Sequence, residues 1–256
     1  DPYITEMDIH PVNACPKLID NGYRLCDFYV ASSYRAFIPC TQYYDYASID
    51  MIIKSIKAGS RYIELDIYNK GFCYETVPVV CTGKEQGNWH WTNEIPFEDC
   101  CKIISSYAFS GGLKNGSDPF FLTLNLYTGD NERVSEKIAD NIRSHLSVYL
   151  LGSDFSYQNS NIAQVPLKYL LNKLVIFCNK REKGNKLAEL INYTWIQPFM
   201  RNHSNIEIDD LHEPQELTDF NRKSLTRVFP VNINRYNNNY NPRISWIYGC
   251  QFVSMN

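Results

Sequence analysis

The residues best suited to chemistry stand in the run Arg61-Tyr62-Ile63-Glu64-Leu65-Asp66-Ile67-Tyr68. Ile63, Leu65 and Ile67 alternate with Glu64 and Asp66, so on a strand both carboxylates point to one face. Two acids on one buried face repel each other and lose hydration unless a cation or hydrogen-bond donors lie between them. In an enzyme that cation is usually a metal. The plainer alternative is an edge strand whose charged face stays in water. Histidine is the other obvious candidate for proton transfer near neutral pH. His90 lies between Trp89 and Trp91, where it either anchors a loop or folds back toward the carboxylates. His145 falls on a helical segment, and His10, His203 and His212 fall in polar ones, which favours solvation over catalysis.

The rest of the composition narrows the function classes. The chain has 256 residues and a net charge of −3, with no basic block, which argues against binding nucleic acid through its phosphates. No apolar run reaches the length that spans a bilayer, and no N-terminal signal pattern is visible. Nine cysteines include no Cys-x-x-Cys pair, and most lie in apolar runs, where a thiol acts as a small hydrophobe. This usage predicts a reducing setting, cytoplasmic or membrane-peripheral, without zinc or an iron–sulfur cluster.

The elements that must position the two acids are legible as alternating strands and helices. Phe28–Ser33 reads as a strand, followed by a loop containing Arg35, Phe37 and Ile38. Ser48 reads as the N-cap of a helix with Ile49, Ile52, Ile53 and Ile56 on its apolar face, ending near Gly59. The Glu64/Asp66 strand comes next, then a short strand at Val77–Cys81 and a helix opened by Pro96. Phe120–Leu126 and Lys173–Cys178 are apolar strands flanking a helix marked by Val134, Ile138, Ile142 and Leu146. Residues 179–220 are polar and mixed, with a helical patch at Leu187–Ile191, and read as a flexible insertion. Two further strands are expected at Leu225–Phe229 and Gln251–Met255. Such alternation means an α/β fold with a mostly parallel sheet, either a TIM-type barrel or a doubly wound sheet.

In order, these segments carry Ala31-Ser32-Ser33, Gly59-x-Arg61-x-Ile63-Glu64-Leu65-Asp66, Pro78-Val79-Val80-x-x-Gly83 and Pro119-Phe120-Phe121-Leu122. They end in Leu225-Thr226-Arg227-Val228-Phe229-Pro230, Asn239-Tyr240-Asn241-Pro242 and Gly249-Cys250-Gln251-x-Val253. The series resembles the catalytic X and Y regions of phosphoinositide-specific phospholipase C. The resemblance implies an α/β fold, a TIM-type (β/α) barrel, formed by residues 1–256 as a single domain. The X-like region covers about 28–180, a polar insertion about 181–215, and the Y-like region about 216–256. The family places one more strand after its Gly-Cys-Gln segment, so the last strand is expected to be missing or irregular.

The resemblance also implies what the site has lost. The family uses two histidines with a calcium ion. In its Ser-Ser-His-Asn pattern this chain reads Ser32-Ser33-Tyr34-Arg35, and in its Thr-His-Gly pattern it reads Cys81-Thr82-Gly83. Tyr34 and Thr82 thus stand at the catalytic positions, and Arg35 replaces a calcium-ligating Asn. Glu64 and Asp66 remain as remnant metal ligands, while a third ligand becomes Asn125. The family's phosphate-binding lysines fall at Phe177 and Asn179, next to Lys180 and Arg181. Arg227 matches an arginine that reaches substrate phosphate. Acid–base groups contribute about 10²–10⁴-fold each, and neither Tyr nor Thr exchanges protons near neutral pH.

The expectation is therefore a phospholipase C-like phosphodiesterase domain without catalysis and without calcium or another cofactor. It would retain binding to a phosphoinositide headgroup or membrane surface through Arg227 and Lys180, or to a protein partner, but not to nucleic acid. Phe37, Ile38, Tyr43 and Tyr44, in the loop after the first strand, would either touch a membrane or pack as an ordinary loop. The alternatives are an active phosphodiesterase rebuilt around His90, or a purely structural scaffold. Arg35 is expected to enter the vacated calcium site and bridge Glu64 and Asp66.

Overall fold

Helical spacing of Ile49, Ile52, Ile53 and Ile56 produces helix α1 (Ile49–Lys57), whose Ile52 and Ile56 are fully buried. Gly59 has φ 105°, a left-handed conformation that glycine adopts at little cost, and it turns the chain from the helix into the next strand. That strand, β2 (Tyr62–Asn69), is buried at every position. The computed structural model describes residues 21–39, 45–71, 75–84, 92–129, 131–157, 160–182, 184–195, 198–231 and 239–255.

Around β2 the strands follow as β1 (Val30–Ser33), β3 (Pro78–Val80), β4 (Ile95–Pro96), β5 (Phe120–Leu126), β6 (Leu174–Cys178) and β7 (Tyr193–Thr194). They continue as β8 (Met200–Ser204), β9 (Leu225–Phe229) and β10 (Phe252–Met255). The ladder runs β7-β6-β5-β2-β1-β10-β9-β8, with every pair on this path parallel. It forms a nearly closed eight-stranded barrel of the TIM type; among the described residues no ladder joins β7 to β8. β3 and β4 lie off this path as an antiparallel extension of β2. Helices α2 (Phe97–Tyr107), α3 (Glu132–Leu146), α4 (Asn205–Asp209), α5 (Pro214–Asn221) and α6 (Arg243–Ile247) complete the chain. Among the described residues no helix is long and apolar enough to cross a membrane.

Two apolar layers follow from strand alternation. Ile63, Leu65, Ile67, Leu122, Leu124 and Ile176 face outward into a core shared with α1, α2 and α3. Tyr62, Phe121, Phe177, Tyr193, Leu225 and Phe252 face inward and fill the base of the barrel. Their rings meet edge-on or tilted, with Tyr62 and Phe252 centroids 5.0 Å apart and Phe121 and Phe252 5.1 Å apart. Thr123 Oγ1 donates to the Tyr62 hydroxyl at 2.8 Å above this base. The polar residues of the same inward faces are thereby confined to the upper half of the barrel.

Arg61 fixes one outer corner. Its Nε donates to Pro119 O at 3.2 Å and its Nη1 to Ala108 O at 2.6 Å, while Nη2 reaches Asp118 O. Burial pushes this guanidinium down to about 10, so it stays charged at neutral pH. Gln251 fixes another: Nε2 donates to Cys26 O at 3.1 Å, Asn221 O at 3.0 Å and Ser224 O at 3.3 Å. Its Oε1 accepts from Thr226 N at 2.9 Å.

Several elements differ from the sequence reading. The stretch 181–215, expected as a polar insertion, carries β7, β8 and α4, so two barrel strands come from it. β7 has only two residues and β8 reads Met-Arg-Asn-His-Ser, too short and too polar for an apolar run to reveal them. Leu187–Ile191 forms turns rather than a helix. β10 pairs with both β1 and β9, and the gap in the barrel lies between β7 and β8 among the described residues. Phe37 is fully buried in the outer core, not offered to a membrane, and Ile38 packs against the same core. Tyr43 and Tyr44 lie outside the described residues.

Candidate functional site

Glu64 and Asp66 are both completely buried, on the inward face of β2. Their registers set their neighbours: Glu64 lies beside Thr123 and Asp66 beside Asn125 on β5. A buried carboxylate needs donors or a cation. The barrel supplies both, from different strands for each acid.

Glu64 is held by Arg227 of β9. Nε donates to Oε1 at 2.7 Å, and Nη2 donates to Oε2, a fork-on-carboxylate arrangement. Ser254 Oγ of β10 donates to the same Oε1 at 3.0 Å. The remaining Nη1 of Arg227 donates to Asn202 Oδ1 of β8 at 2.6 Å. Arg227 is 3 % exposed, and burial pulls its pKa down, but the Glu64 charge more than offsets this and holds it above its ordinary value. Its guanidinium carbon lies 4.3 Å from the Trp195 ring, 4.7 Å from Phe229 and 5.8 Å from Tyr34.

Asp66 is held by Arg35, whose Nε lies 2.8 Å from Oδ2. Asn125 Nδ2 donates to Asp66 Oδ1 at 2.8 Å. Arg35 is buried in the turn after β1, with φ 44° in the left-handed region that a side chain rarely adopts. Burial again works against its charge and Asp66 again outweighs burial. The sequence reading had Arg35 bridging both acids; the structure gives each acid its own guanidinium. The Tyr34 ring lies 5.3 Å from Arg35 and so touches both cations. Burial pushes the Tyr34 hydroxyl up to about 12.

The other sequence candidates fall elsewhere. Thr82 is buried just after β3, with Oγ1 3.1 Å from Thr92 Oγ1. Lys180 donates to Gly129 O at 2.9 Å and pairs with Glu182 at 3.2 Å. Asn179 Oδ1 accepts from Leu126 N at 2.9 Å, and Phe177 belongs to the aromatic base. Arg181 is exposed. His145 lies 3.2 Å from Glu98 on the outer helices. His203 is turned outward on β8 by alternation with Asn202, and its pKa is lowered by burial. His212 is exposed, so no described histidine faces the barrel interior. His90 and His10 lie outside the described residues.

Sequence reasoning missed Ser254, Asn202 and Trp195. Ser254 was accessible in principle, since it shares a strand face with Phe252. Asn202 belongs to a strand too polar to be recognised, and Trp195 follows one of only two residues.

The donor set does not fit the calcium ion that the resemblance implies. Calcium takes about 6–8 oxygen ligands. Here both Glu64 oxygens accept from side-chain donors, Asp66 Oδ2 faces a guanidinium, and Asn125 turns its nitrogen rather than its oxygen to Asp66. Among the described residues no group of three or more His, Cys, Asp or Glu is placed to hold a metal.

Residues 22–181 match the family description "Phosphatidylinositol-specific phospholipase C, X domain", and residues 171–256 match its Y domain. The chain is 20 % identical over 302 residues to 1-phosphatidylinositol 4,5-bisphosphate phosphodiesterase delta-4 of Xenopus laevis, covering 91 % of this chain and 36 % of that protein. It is 22 % identical over 301 residues to the human zeta-1 phosphodiesterase of the same name, covering 95 % of this chain and 47 % of the relative. The chain therefore spans less than half the length of these relatives. In fold it is similar to S. officinalis PLC21, with a TM-score of 0.75 at 18 % identity, covering 92 % of this chain and 34 % of the other. A smaller likeness joins it to a calcium-dependent phosphoinositol-specific phospholipase C from Pseudomonas sp, with a TM-score of 0.55 at 8 % identity over 91 % and 90 % of the two chains. Consecutive X and Y matches, folded into one continuous barrel, place this chain in the phosphatidylinositol-specific phospholipase C family.

Proposed function

We propose that this barrel is a catalytically inactive phospholipase C-like domain kept for binding. The observation that carries the reading is the pairing of Glu64 with Arg227 and of Asp66 with Arg35, with Tyr34 against both guanidiniums. The acids that would organise a metal and an attacking hydroxyl are neutralised by fixed side chains. Tyr34, with its hydroxyl pushed up to about 12, holds its proton throughout the neutral range. Thr82 has no basic group at all.

The ligand we propose is a phosphoinositide headgroup at a membrane surface, bound weakly. Arg227 supports this less than the sequence suggested, because phosphate must compete with Glu64 for its fork of donors. Lys180 is likewise engaged by Gly129 O and Glu182. Binding should therefore be modest and salt-sensitive.

Purified protein mixed with vesicles containing phosphatidylinositol 4,5-bisphosphate and millimolar calcium tests the reading. The expected result is no inositol phosphate released above background. Turnover that disappears in His90→Ala overturns it and establishes a rebuilt site instead. Vesicle co-sedimentation in the same samples reports binding: no difference between vesicles with and without the phosphoinositide removes the ligand part and leaves a scaffold.

A further inference from the structure

We infer that Arg35 is a tethered substitute for a metal ion, and that removing its side chain opens a hard-cation site at Asp66 and Asn125. The inference rests on the family reading for the kind of ion, and not on the absence of turnover.

The charges in the upper barrel balance without any ion, since two carboxylates face two guanidiniums. The two pairs differ in what surrounds them. Glu64 has a second anchor in Ser254, and Arg227 has one in Asn202, so this pair is held across four strands, β2, β8, β9 and β10. Asp66 has Arg35 at Oδ2 and the Asn125 amide nitrogen at Oδ1, so a flexible amide rather than a second strand's hydroxyl meets that oxygen. Asn125 is 4 % exposed, and its Oδ1 is buried without a hydrogen-bond partner among the described residues. That oxygen is an unused donor for a hard cation, beside a carboxylate whose present cation arrives from a turn. Rotation of the amide would present Oδ1 on the side of Asp66, giving oxygen ligands from two neighbouring strands in register. With Arg35 present, its charge repels a divalent ion from these oxygens.

Arg35→Ala isolates the side chain, because alanine meets the same restriction as arginine at φ 44°. Thermal unfolding and terbium luminescence, each with and without calcium competition, are measured on wild type and variants. Wild type is expected to show no saturable calcium-displaceable terbium signal and no calcium-dependent shift in midpoint. Arg35→Ala is expected to unfold roughly 10 °C lower in chelator and to recover part of that loss in millimolar calcium. Adding Asp66→Asn to Arg35→Ala should abolish the calcium response while raising the midpoint in chelator, since the uncompensated charge is then gone.

Saturable calcium binding by wild type that is lost in Asp66→Asn overturns the inference. So does an Arg35→Ala protein that unfolds like wild type, or one that is destabilised and indifferent to calcium. If Arg35→Ala does not fold in chelator, the double variant decides: failure of Arg35→Ala/Asp66→Asn to fold as well shows that Arg35 is needed for something other than the Asp66 charge, and overturns the inference. Recovery in the double variant supports it.

Discussion

Arg227 and Glu64 form an ion pair across the inside of the barrel, from β9 to β2, with β1 and β10 lying between their strands in the sheet. The pair is a cross-tie rather than a contact between neighbours. Replacing Arg227 with Met leaves the Glu64 charge buried without its guanidinium, and should cost about 3–5 kcal/mol in urea unfolding. Arg227→Lys should recover only part of this, because one ammonium cannot reproduce donation from both Nε and Nη2. Equal stability of the lysine variant and wild type would show that charge alone matters there.

Ser254→Ala removes the other donor to Glu64 Oε1. A hydrogen bond to a buried charged group contributes about 1.5–3 kcal/mol, and the variant should lose stability in that range. The double-mutant cycle of Ser254→Ala with Glu64→Gln should show coupling, since both substitutions act on one oxygen.

Gln251→Leu keeps approximate volume but leaves Thr226 N and the carbonyls of Cys26, Asn221 and Ser224 without this partner. Loss of more than about 2 kcal/mol is expected from such buried groups. Amide exchange should quicken at Thr226, whose N–H bonds to the glutamine, before it changes in β5, which Gln251 does not touch.

Alkaline pH should unfold the protein early. Burial raises Cys26 from an ordinary 9.0 to about 11, Cys178 and Cys250 from 9.0 to about 12, and Tyr34 from 10.0 to about 12. Each folded pKa lies above its unfolded value, so the stabilisation is complete below pH 9 and is lost as pH rises toward 12. Chemical denaturation between pH 7 and 11 should show a flat region followed by a decline that begins near pH 9. Cys250→Ala should make the decline shallower, whatever it does to stability at pH 7.

Much of the frame was legible because β2, β5, β6 and β9 are apolar runs bounded by turns, and α1 and α3 repeat apolar residues at helical spacing. The inward direction of Glu64 and Asp66 followed from alternation with Ile63, Leu65 and Ile67. Their partners did not follow. Arg35 was close in sequence to a recognisable motif, whereas Arg227 became the partner of Glu64 only because β10 separates β1 from β9 and turns β9 toward the far side of the barrel. Strand order is a non-local property, and local periodicity carries no record of it. β8 illustrates a different limit: its inward Asn202 and outward Arg201 and His203 are all polar, so no apolar face announces a strand. Its direction is fixed by what it meets, with Arg201 forking onto Glu216 outside while Asn202 receives Arg227.

The position of β10 between β1 and β9 has a consequence for synthesis on the ribosome. β1 has an edge that is filled only when β10, the last of the described strands, has emerged. Until then Glu64 lacks Ser254, and Arg227 emerges long after the carboxylate it must neutralise. A nascent chain can therefore collect helices on the outer face of β2, but it cannot bury the inner face without leaving a charge unmet. Closure is deferred until β10 has emerged, and such long-range pairing is slow while exposed strand edges invite aggregation. Stalled chains lacking Phe252–Met255 should be protease-sensitive throughout the barrel interior while α1 and α2 are already protected.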